Sequence, residues 1–129
     1  MYCIVVKNCF IFVLKSKTNS IMNIEKTKAQ MRKGVLELCI LSIMKDKEAY
    51  ASDIIVQMKE AHLIVVEGTL YPLLTRLKND GLLEYRWEES KSGPPRKYYR
   101  ITEMGRHSLD ELSQSWHELT ESVKKITKA

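Results

Sequence analysis

A hairpin near the C-terminal end constrains the fold of this chain more than any other feature. Residues 83–88, LEYRWE, alternate apolar and charged side chains, and the basic aromatic run RKYYRI follows the turn sequence SKSGPP. Alternation beside a Gly- and Pro-rich turn predicts two antiparallel β-strands. Pro94 and Pro95 lack the N–H that a strand ladder needs, so we expect them in the loop and at the start of the returning strand.

Helical patterns occupy the chain on both sides of this hairpin. The first predicted helix, capped by Asn23 or Thr27, runs through QMRKGVLELCILSIMK, and YASDIIVQMKEA forms the second with a cap near Ser52. The third, GTLYPLLTRLKND, ends at Gly81, and a long last helix begins at the N-cap Thr102. This order predicts a mainly α fold with a small β-hairpin, which is a winged helix-turn-helix plus a long C-terminal helix.

The third helix has one apolar and one polar face. Its leucines at positions 70, 73, 74 and 77 follow the i, i+3, i+4, i+7 spacing of a buried stripe. The helix should begin around residues 68–71, because Pro72 is tolerated only near a helix start. The other face holds no carboxylate before Asp80, and a carboxylate would repel phosphates, so this face suits a DNA groove. The candidate DNA-binding residues of this face are Gly68, Thr69, Tyr71, Pro72, Thr75, Arg76 and Asn79.

The hairpin carries a local basic cluster. The net charge is +5, but the first 33 residues hold seven basic side chains against one acidic, so the rest of the chain is nearly neutral. Residues 90–101 contain Lys91, Arg96, Lys97 and Arg100 and no acid. These cations either form a solvated edge that prevents aggregation or contact phosphates. Because they follow an acid-poor helix face, we favour double-stranded DNA as the partner, with Lys91, Ser92, Gly93, Arg96 and Lys97 as wing contacts.

The last helix carries an apolar seam. Leu109, Leu112, Trp116, Leu119, Val123 and Ile126 are spaced 3, 4, 3, 4 and 3 residues apart, which is an a/d pattern. The chain has no further helix to cover this seam. Residues 35–44 are also apolar nearly all round, which is typical of a helix that is buried on more than one side. Both features predict a homodimer.

Catalysis and metal binding find little support in the sequence. Three cysteines without a C-x-x-C spacing and three scattered histidines predict no disulfide framework, metal site, cofactor or enzyme activity. A reducing cytoplasm fits this cysteine usage. Cys39 lies in an apolar run, so we expect it to be a small core residue.

The N-terminal residues 1–22 are predicted to be an appendage. MYCIVVKNCFIFVLK is apolar but is interrupted by Lys7 and Asn8, and it is too short for a membrane span. We therefore expect no membrane association, and we interpret residues 1–22 as disordered or as an artefact of an early start site. Residues 23–101 then form the DNA-binding domain and residues 102–129 the dimerisation helix.

Three segments resemble the PadR family of transcriptional regulators. They are GVLELCIL, EGTLYPLLTRLKNDGLLE and GPPRKYYRITEMGRHSL, and the resemblance covers about residues 31–129. The single C-terminal helix resembles the shorter subfamily. The chain departs from the family pattern at Ala51, Ser52 and Asp53, where Gly-Tyr-Glu is frequent, which puts any role of that family tyrosine in doubt.

The resemblance implies a dimeric repressor on a near-palindromic operator, with the third helix in the major groove and the wing on the backbone or minor groove. Some short members resemble multidrug sensors, in which a tryptophan of the last helix stacks aromatic compounds at the dimer centre. Trp116 matches that position, so it either lines a slot for a planar aromatic effector or fills the seam. The competing function is a winged helix that binds a protein and no DNA.

Overall fold

The computed structural model describes residues 21 and 23–128, and the chain divides into two units, Met1–Val35 and Leu36–Ala129. In the first unit, residues 23–33 form helix α1, in which Thr27 Oγ1 donates a hydrogen bond to the carbonyl of Asn23 at 3.0 Å. Apart from Ile21, the predicted appendage lies outside the described residues.

The prediction of one continuous helix through residues 30–45 is wrong. Helix α1 ends at Lys33, a turn follows at Gly34 and Val35, and a separate helix α2 spans Leu36–Ile43. In the turn, the Val35 N–H donates to the carbonyl of Arg32, three residues back, at 3.2 Å. Gly34 explains the interruption, because glycine is the residue that a helix tolerates least after proline.

The second unit is a helical domain with a small sheet. After α2 come strand β1 (Ala49–Tyr50), helix α3 (Ala51–Glu60), helix α4 (Glu67–Asn79), strands β2 (Leu83–Ser90) and β3 (Gly93–Ile101), and helix α5 (Glu103–Thr127). The sheet is antiparallel with the order β1-β3-β2. This architecture confirms the predicted winged helix-turn-helix with a long C-terminal helix.

One core holds the three helices α2, α3 and α4 against the sheet. The largest fully buried side chains are those of Ile40, Leu41, Met44, Ile54, Met58, Leu70, Leu74, Leu77 and Leu83. Burying each such side chain stabilises the fold by about 1.5–3 kcal/mol. Cys39 was predicted to lie in this core but is only partly buried beside it, and burial raises the pKa of its thiol. The thiol therefore stays protonated and acts as a small apolar group.

The start of α3 differs from the prediction by two residues. Its N-cap is Tyr50 and not Ser52, and the backbone N–H of Tyr50 donates to Asp53 Oδ2 at 3.0 Å. Tyr50 also ends strand β1, in which it lies opposite Tyr98 of β3. A strand of two residues is too short to produce an alternating pattern, so β1 could not be predicted from periodicity.

The strands of the hairpin extend further into the predicted turn SKSGPP than expected, so the turn itself is shorter. The turn consists of Lys91 and Ser92, and Pro94 and Pro95 lie within β3. The ladder has an irregularity between Glu88 and Ser90, opposite these prolines. An interrupted ladder does not require the missing proline N–H groups, which explains how the strand accommodates them.

Thr102 is the N-cap of α5, as predicted, and it also binds the loop that follows α4. Thr102 Oγ1 accepts a hydrogen bond from the N–H of Gly105 at 3.0 Å and donates to the carbonyl of Gly81 at 2.6 Å. Gly81 has a φ of +79°, the left-handed conformation that favours glycine after a helix. The two bonds of Thr102 join the end of β3, the loop after α4 and the first turn of α5 at one point.

Candidate nucleic-acid interface

The polar face of α4 is exposed as the sequence predicts. Leu70, Leu74 and Leu77 are completely buried on the opposite face. The candidate residues Gly68, Tyr71, Pro72, Thr75, Arg76 and Asn79 are exposed, and Thr69 is half-buried. The helix starts at Glu67, one residue before the expected first turn, so Pro72 is the sixth helical residue. Since proline has no N–H, the carbonyl of Gly68 lacks its usual helix partner and stays on the exposed face.

Ion pairs divide the predicted basic residues into two groups. Arg76 Nη2 lies 2.6 Å from Glu37 Oε2 of α2, and Arg100 Nε lies 2.6 Å from Glu84 Oε1 of β2. Arg100 therefore does not belong to a free basic cluster at the wing. Arg76 is exposed but lies on the flank of α4 that faces α2.

The other wing cations are not neutralised in this way. Among the residues that the structure describes, Lys91, Arg96 and Lys97 form no ion pair with a carboxylate. They lie at the distal part of the hairpin, with Lys91 in the turn and Arg96 and Lys97 on β3. Unpaired cations keep their donors available, so these three are the better candidates for phosphate contacts.

Aromatic rings lie next to Arg96 and Lys97, the two unpaired cations of β3. The guanidinium carbon of Arg96 lies 4.1 Å from the ring centroid of Tyr50. Lys97 Nζ lies 4.6 Å from the centroid of Tyr85 and 5.6 Å from that of Trp87. Both arrangements are within the range of cation–π attraction.

A cleft of about 380 Å³ separates the recognition helix α4 from the wing. Tyr71 and Thr75 of α4 line one side, Trp87, Arg96 and Lys97 line the wing side, and the remaining lining residues are Tyr50, Ala51, Ser52, Pro95 and Tyr99. Its lining contains two cations and no carboxylate. Burial raises the pKa of the Tyr99 phenol, and the nearby Tyr71 and Tyr85 raise it further, so Tyr99 brings no negative charge. The cleft is therefore electropositive and partly aromatic.

A second depression, of about 540 Å³, shows the contrast. Its charged lining consists of four carboxylates and three cations, which are Asp46, Glu48, Glu84, Glu103, Lys47, Arg100 and Arg106. These carboxylates would repel a phosphate backbone. The cleft between α4 and the wing is the one of the two that suits a polyanion.

The predicted seam of α5 divides into a buried and an exposed part. Leu109 is buried in the core of its own protomer and Leu112 packs against that core, because the first turns of α5 lie on α2. Further along, Trp116, Leu119, Val123 and Ile126 are 45%, 56%, 48% and 80% exposed. The prediction placed all six residues at a dimer interface, but Leu109 serves the fold of the single chain.

Trp116 also borders an apolar groove of about 500 Å³. Leu38, Cys39 and Ile43 of α2, Met58 of α3 and several neighbours line it. The sequence showed α2 to be apolar nearly all round, and this groove accounts for the face that the core leaves uncovered.

Two residues of the interface were not predicted from the sequence. Neither Glu37 nor Tyr50 was among the candidate DNA-binding residues. Both act through partners that are remote in sequence, Arg76 and Arg96 respectively. No local pattern carries such a signal.

No helix in the described ranges is both long and apolar enough to cross a membrane. Over the same part of the chain, no group of three or more His, Cys, Asp or Glu side chains is arranged to hold a metal ion.

Comparisons with known proteins agree with this architecture. The model of the transcriptional regulator PadR-like family matches residues 40–111. The transcriptional regulator Rv3488 of Mycobacterium tuberculosis is 32% identical over 94 residues, which are 73% of this chain and 87% of that protein. The solved structure of a PadR-like transcription factor from Bacteroides fragilis is 62% identical, with a TM-score of 0.67 over 78% of this chain and 98% of that one.

A PadR family transcriptional regulator from Eggerthella lenta is similar in structure as well. It is 30% identical, with a TM-score of 0.79 over 87% of this chain and 98% of that one. The family model covers helix α4 and the hairpin together. The chain therefore belongs to the PadR-like family of transcriptional regulators.

Proposed function

We propose that this PadR-like regulator, a DNA-binding protein and not an enzyme, is a homodimeric repressor of a near-palindromic operator that a small molecule releases. The observation that carries the DNA contact is the acid-free cleft between α4 and the wing, with Arg96 and Lys97 on its edge. Two unpaired cations beside a polar helix face favour a phosphate backbone over a protein as the partner.

In this proposal α4 enters the major groove and the wing follows the adjacent strand. The base-facing surface consists of the exposed residues of α4, Gly68, Tyr71, Pro72, Thr75, Arg76 and Asn79, with Thr69 at its margin. The backbone contacts come from Lys91, Ser92, Gly93, Arg96 and Lys97. Gly68 supports this docking, because a Cβ at that position would meet no atom of the chain within 4 Å. The fold does not require glycine there, whereas close approach of a duplex would favour it.

Dimerisation is supported by the exposed part of the α5 seam. Trp116, Leu119, Val123 and Ile126 form an apolar stripe whose side chains are 45–80% exposed in the single chain. The groove beside Trp116 adds apolar surface from α2 and α3. A second copy of the chain would bury both surfaces by a two-fold contact.

The effector is proposed to be a planar aromatic compound at Trp116. The groove offers apolar walls and one edge of the indole ring, which suits stacking. The competing interpretation is that Trp116 only fills the dimer seam.

Charge-removal variants of the wing test the DNA contact. The double change Arg96→Ala, Lys97→Ala should weaken binding to a mixed-sequence duplex and reduce the slope of log affinity against log salt by about two. The matched control is Arg100→Ala, which removes an arginine of the same strand that is already paired with Glu84. It should leave both quantities close to those of the wild type.

Anisotropy titrations at several salt concentrations measure both effects. Equal behaviour of the double variant and the control would contradict the docking. Wild-type protein that binds no duplex at low salt would favour the protein-interaction alternative.

A further inference from the structure

Four side chains form a continuous row across one face of the sheet. Tyr50 of β1 lies opposite Tyr98 of β3, and the two ring centroids are 4.5 Å apart. Arg96 lies over the ring of Tyr50 at 4.1 Å, and Arg86 lies over the ring of Tyr98 at 4.9 Å. The row therefore has a guanidinium at each end and two phenol rings between them.

The two ends of the row differ in their hydrogen bonds. Arg86 Nη2 donates to Glu48 at 2.9 Å, and Arg86 Nη1 donates to Glu88. Arg96 has no carboxylate partner among the residues described, and it contacts the ring of Tyr50. The N–H donors of Arg86 are therefore occupied by carboxylates. Arg96 is oriented by the ring, but its N–H donors remain free.

Stacking leaves the donors of an arginine free. A ring attracts the face of the guanidinium, while the N–H donors point outward in its plane. A carboxylate would instead occupy those donors in the geometry that a phosphate requires. Tyr50 therefore restrains Arg96 and keeps it able to bind an anion.

A carboxylate that could compete with the Tyr50 ring for Arg96 lies close by. Glu88 faces Arg96 directly in the β2–β3 register. At present Glu88 is bonded to Arg86. If the ring of Tyr50 were removed, Arg96 would be free to turn to Glu88, and its positive charge would be neutralised.

The Tyr50 ring itself is well supported. The side chain of Tyr50 is half-buried. Its backbone N–H donates a hydrogen bond to Asp53, and the residue is the N-cap of α3. The ring therefore connects the wing cation to the helical body. Tyr50 and Arg96 both line the cleft beside α4, where a DNA strand between the major groove and the wing would pass.

We propose that Tyr50 is a positioning residue for DNA binding, which holds Arg96 by its face so that the edge of the guanidinium takes one backbone phosphate. The inference rests on the proposed function, since it adds a residue to the same interface. Tyr50 itself contacts the arginine and not the DNA.

A comparison of four variants on a mixed-sequence duplex tests the positioning role. Tyr50→Leu should weaken binding about two- to fivefold, the range expected for an exposed cation–π contact, and should reduce the salt slope by up to about one. Tyr50→Phe retains the ring and should bind as the wild type does. In an Arg96→Ala background, Tyr50→Leu should have no further effect. Tyr50→Leu combined with Glu88→Gln should recover part of the loss, because the competing carboxylate is gone.

Arg96→Lys provides a test that does not depend on the folding of a Tyr50 variant. It keeps the charge at an exposed position but loses the planar fork, so it should weaken binding about as much as Tyr50→Leu does. Wild-type affinity of Arg96→Lys, or an equal loss for Tyr50→Leu with and without Arg96, would overturn the positioning role. If Arg96→Ala itself has no effect, the docking in the proposed function fails instead, which separates the two failures.

Discussion

At the scale of single residues, the two glycines Gly105 and Gly68 differ in whether the fold has room for a side chain. A Cβ on Gly105 would lie 2.1 Å from the carbonyl oxygen of Leu82 and 2.7 Å from Cγ1 of Ile101. The obstacle is backbone, so it cannot be relieved by a rotamer change. Gly105 is what allows the first turn of α5 to approach the loop between α4 and β2.

Gly105→Ala is therefore expected to destabilise the protein by about 1–3 kcal/mol or more, as overpacking does. Urea unfolding followed by circular dichroism measures the change. An unchanged midpoint would mean that α5 can shift away from Leu82 without loss.

Gly68→Ala should have the reverse profile. Nothing in the chain opposes the added methyl group, and alanine favours the helix by up to about 1 kcal/mol, so stability should be equal or higher. DNA affinity should fall, because the methyl group lies where the duplex approaches α4. Unfolding and duplex titration on the same sample separate the two effects, and undiminished affinity would remove Gly68 from the interface.

The Glu37–Arg76 pair connects two elements, the short helix α2 and the recognition helix α4. Arg76 is 57% exposed, so the pair contributes only about 0.2–1 kcal/mol to stability. The pair should affect DNA affinity more than it affects stability, because Glu37 places a carboxylate beside the surface proposed to contact phosphates.

Glu37→Gln should thus tighten binding to a mixed-sequence duplex and leave the unfolding midpoint nearly unchanged. Arg76→Ala should weaken binding, by about 1–3 kcal/mol if Arg76 makes a bidentate base contact. A double-mutant cycle on duplex affinity measures the coupling. Weaker binding of Glu37→Gln would show that Glu37 orients Arg76 and does not compete for it.

The elements also show how far a sequence reading extends. Local signals predicted the leucine stripe of α4, the alternation of β2 and the Thr102 cap, because each depends on neighbours in the chain. The two-residue strand β1, the pairing of Arg76 with Glu37 and the pairing of Arg100 with Glu84 depend on tertiary contacts. The break at Gly34 has a local cause, the low helix propensity of glycine, which the apolar pattern around it outweighed in the prediction. The sequence therefore predicted which helix and which hairpin form the candidate site. It did not predict which of their cations remain unpaired.

At the scale of the whole molecule, the proposed function depends on assembly into a dimer. Leu119 is exposed in the single chain and lies within the proposed seam, so Leu119→Ala should leave the protomer folded and weaken the dimer by about 2–5 kcal/mol. Two recognition helices need a spacing of about one DNA turn, so binding to a selected palindromic duplex should fall as well.

Met104→Ala provides the control, since Met104 is an exposed apolar residue of the same helix outside the seam. Sedimentation velocity measures the assembly state of both variants. A wild-type monomer at micromolar concentration would contradict the dimer and, with it, the shared effector site.

Trp116→Ala separates the two interpretations of the groove. If Trp116 lines an effector slot, the variant should remain dimeric and bind DNA but lose calorimetric heat with planar aromatic compounds. If Trp116 only fills the seam, the dimer should dissociate.

The chain contains only two tryptophans, and they lie at the two places where function is proposed. Trp87 borders the cleft beside the recognition helix, and Trp116 borders the groove of the last helix. Indole emission responds to local polarity and to stacking, so the unlabelled protein carries one optical reporter for each event. Replacing either tryptophan by phenylalanine leaves a single indole in each variant. Stopped-flow fluorescence of the two variants then times the two events separately, which gives the order of DNA release and small-molecule uptake.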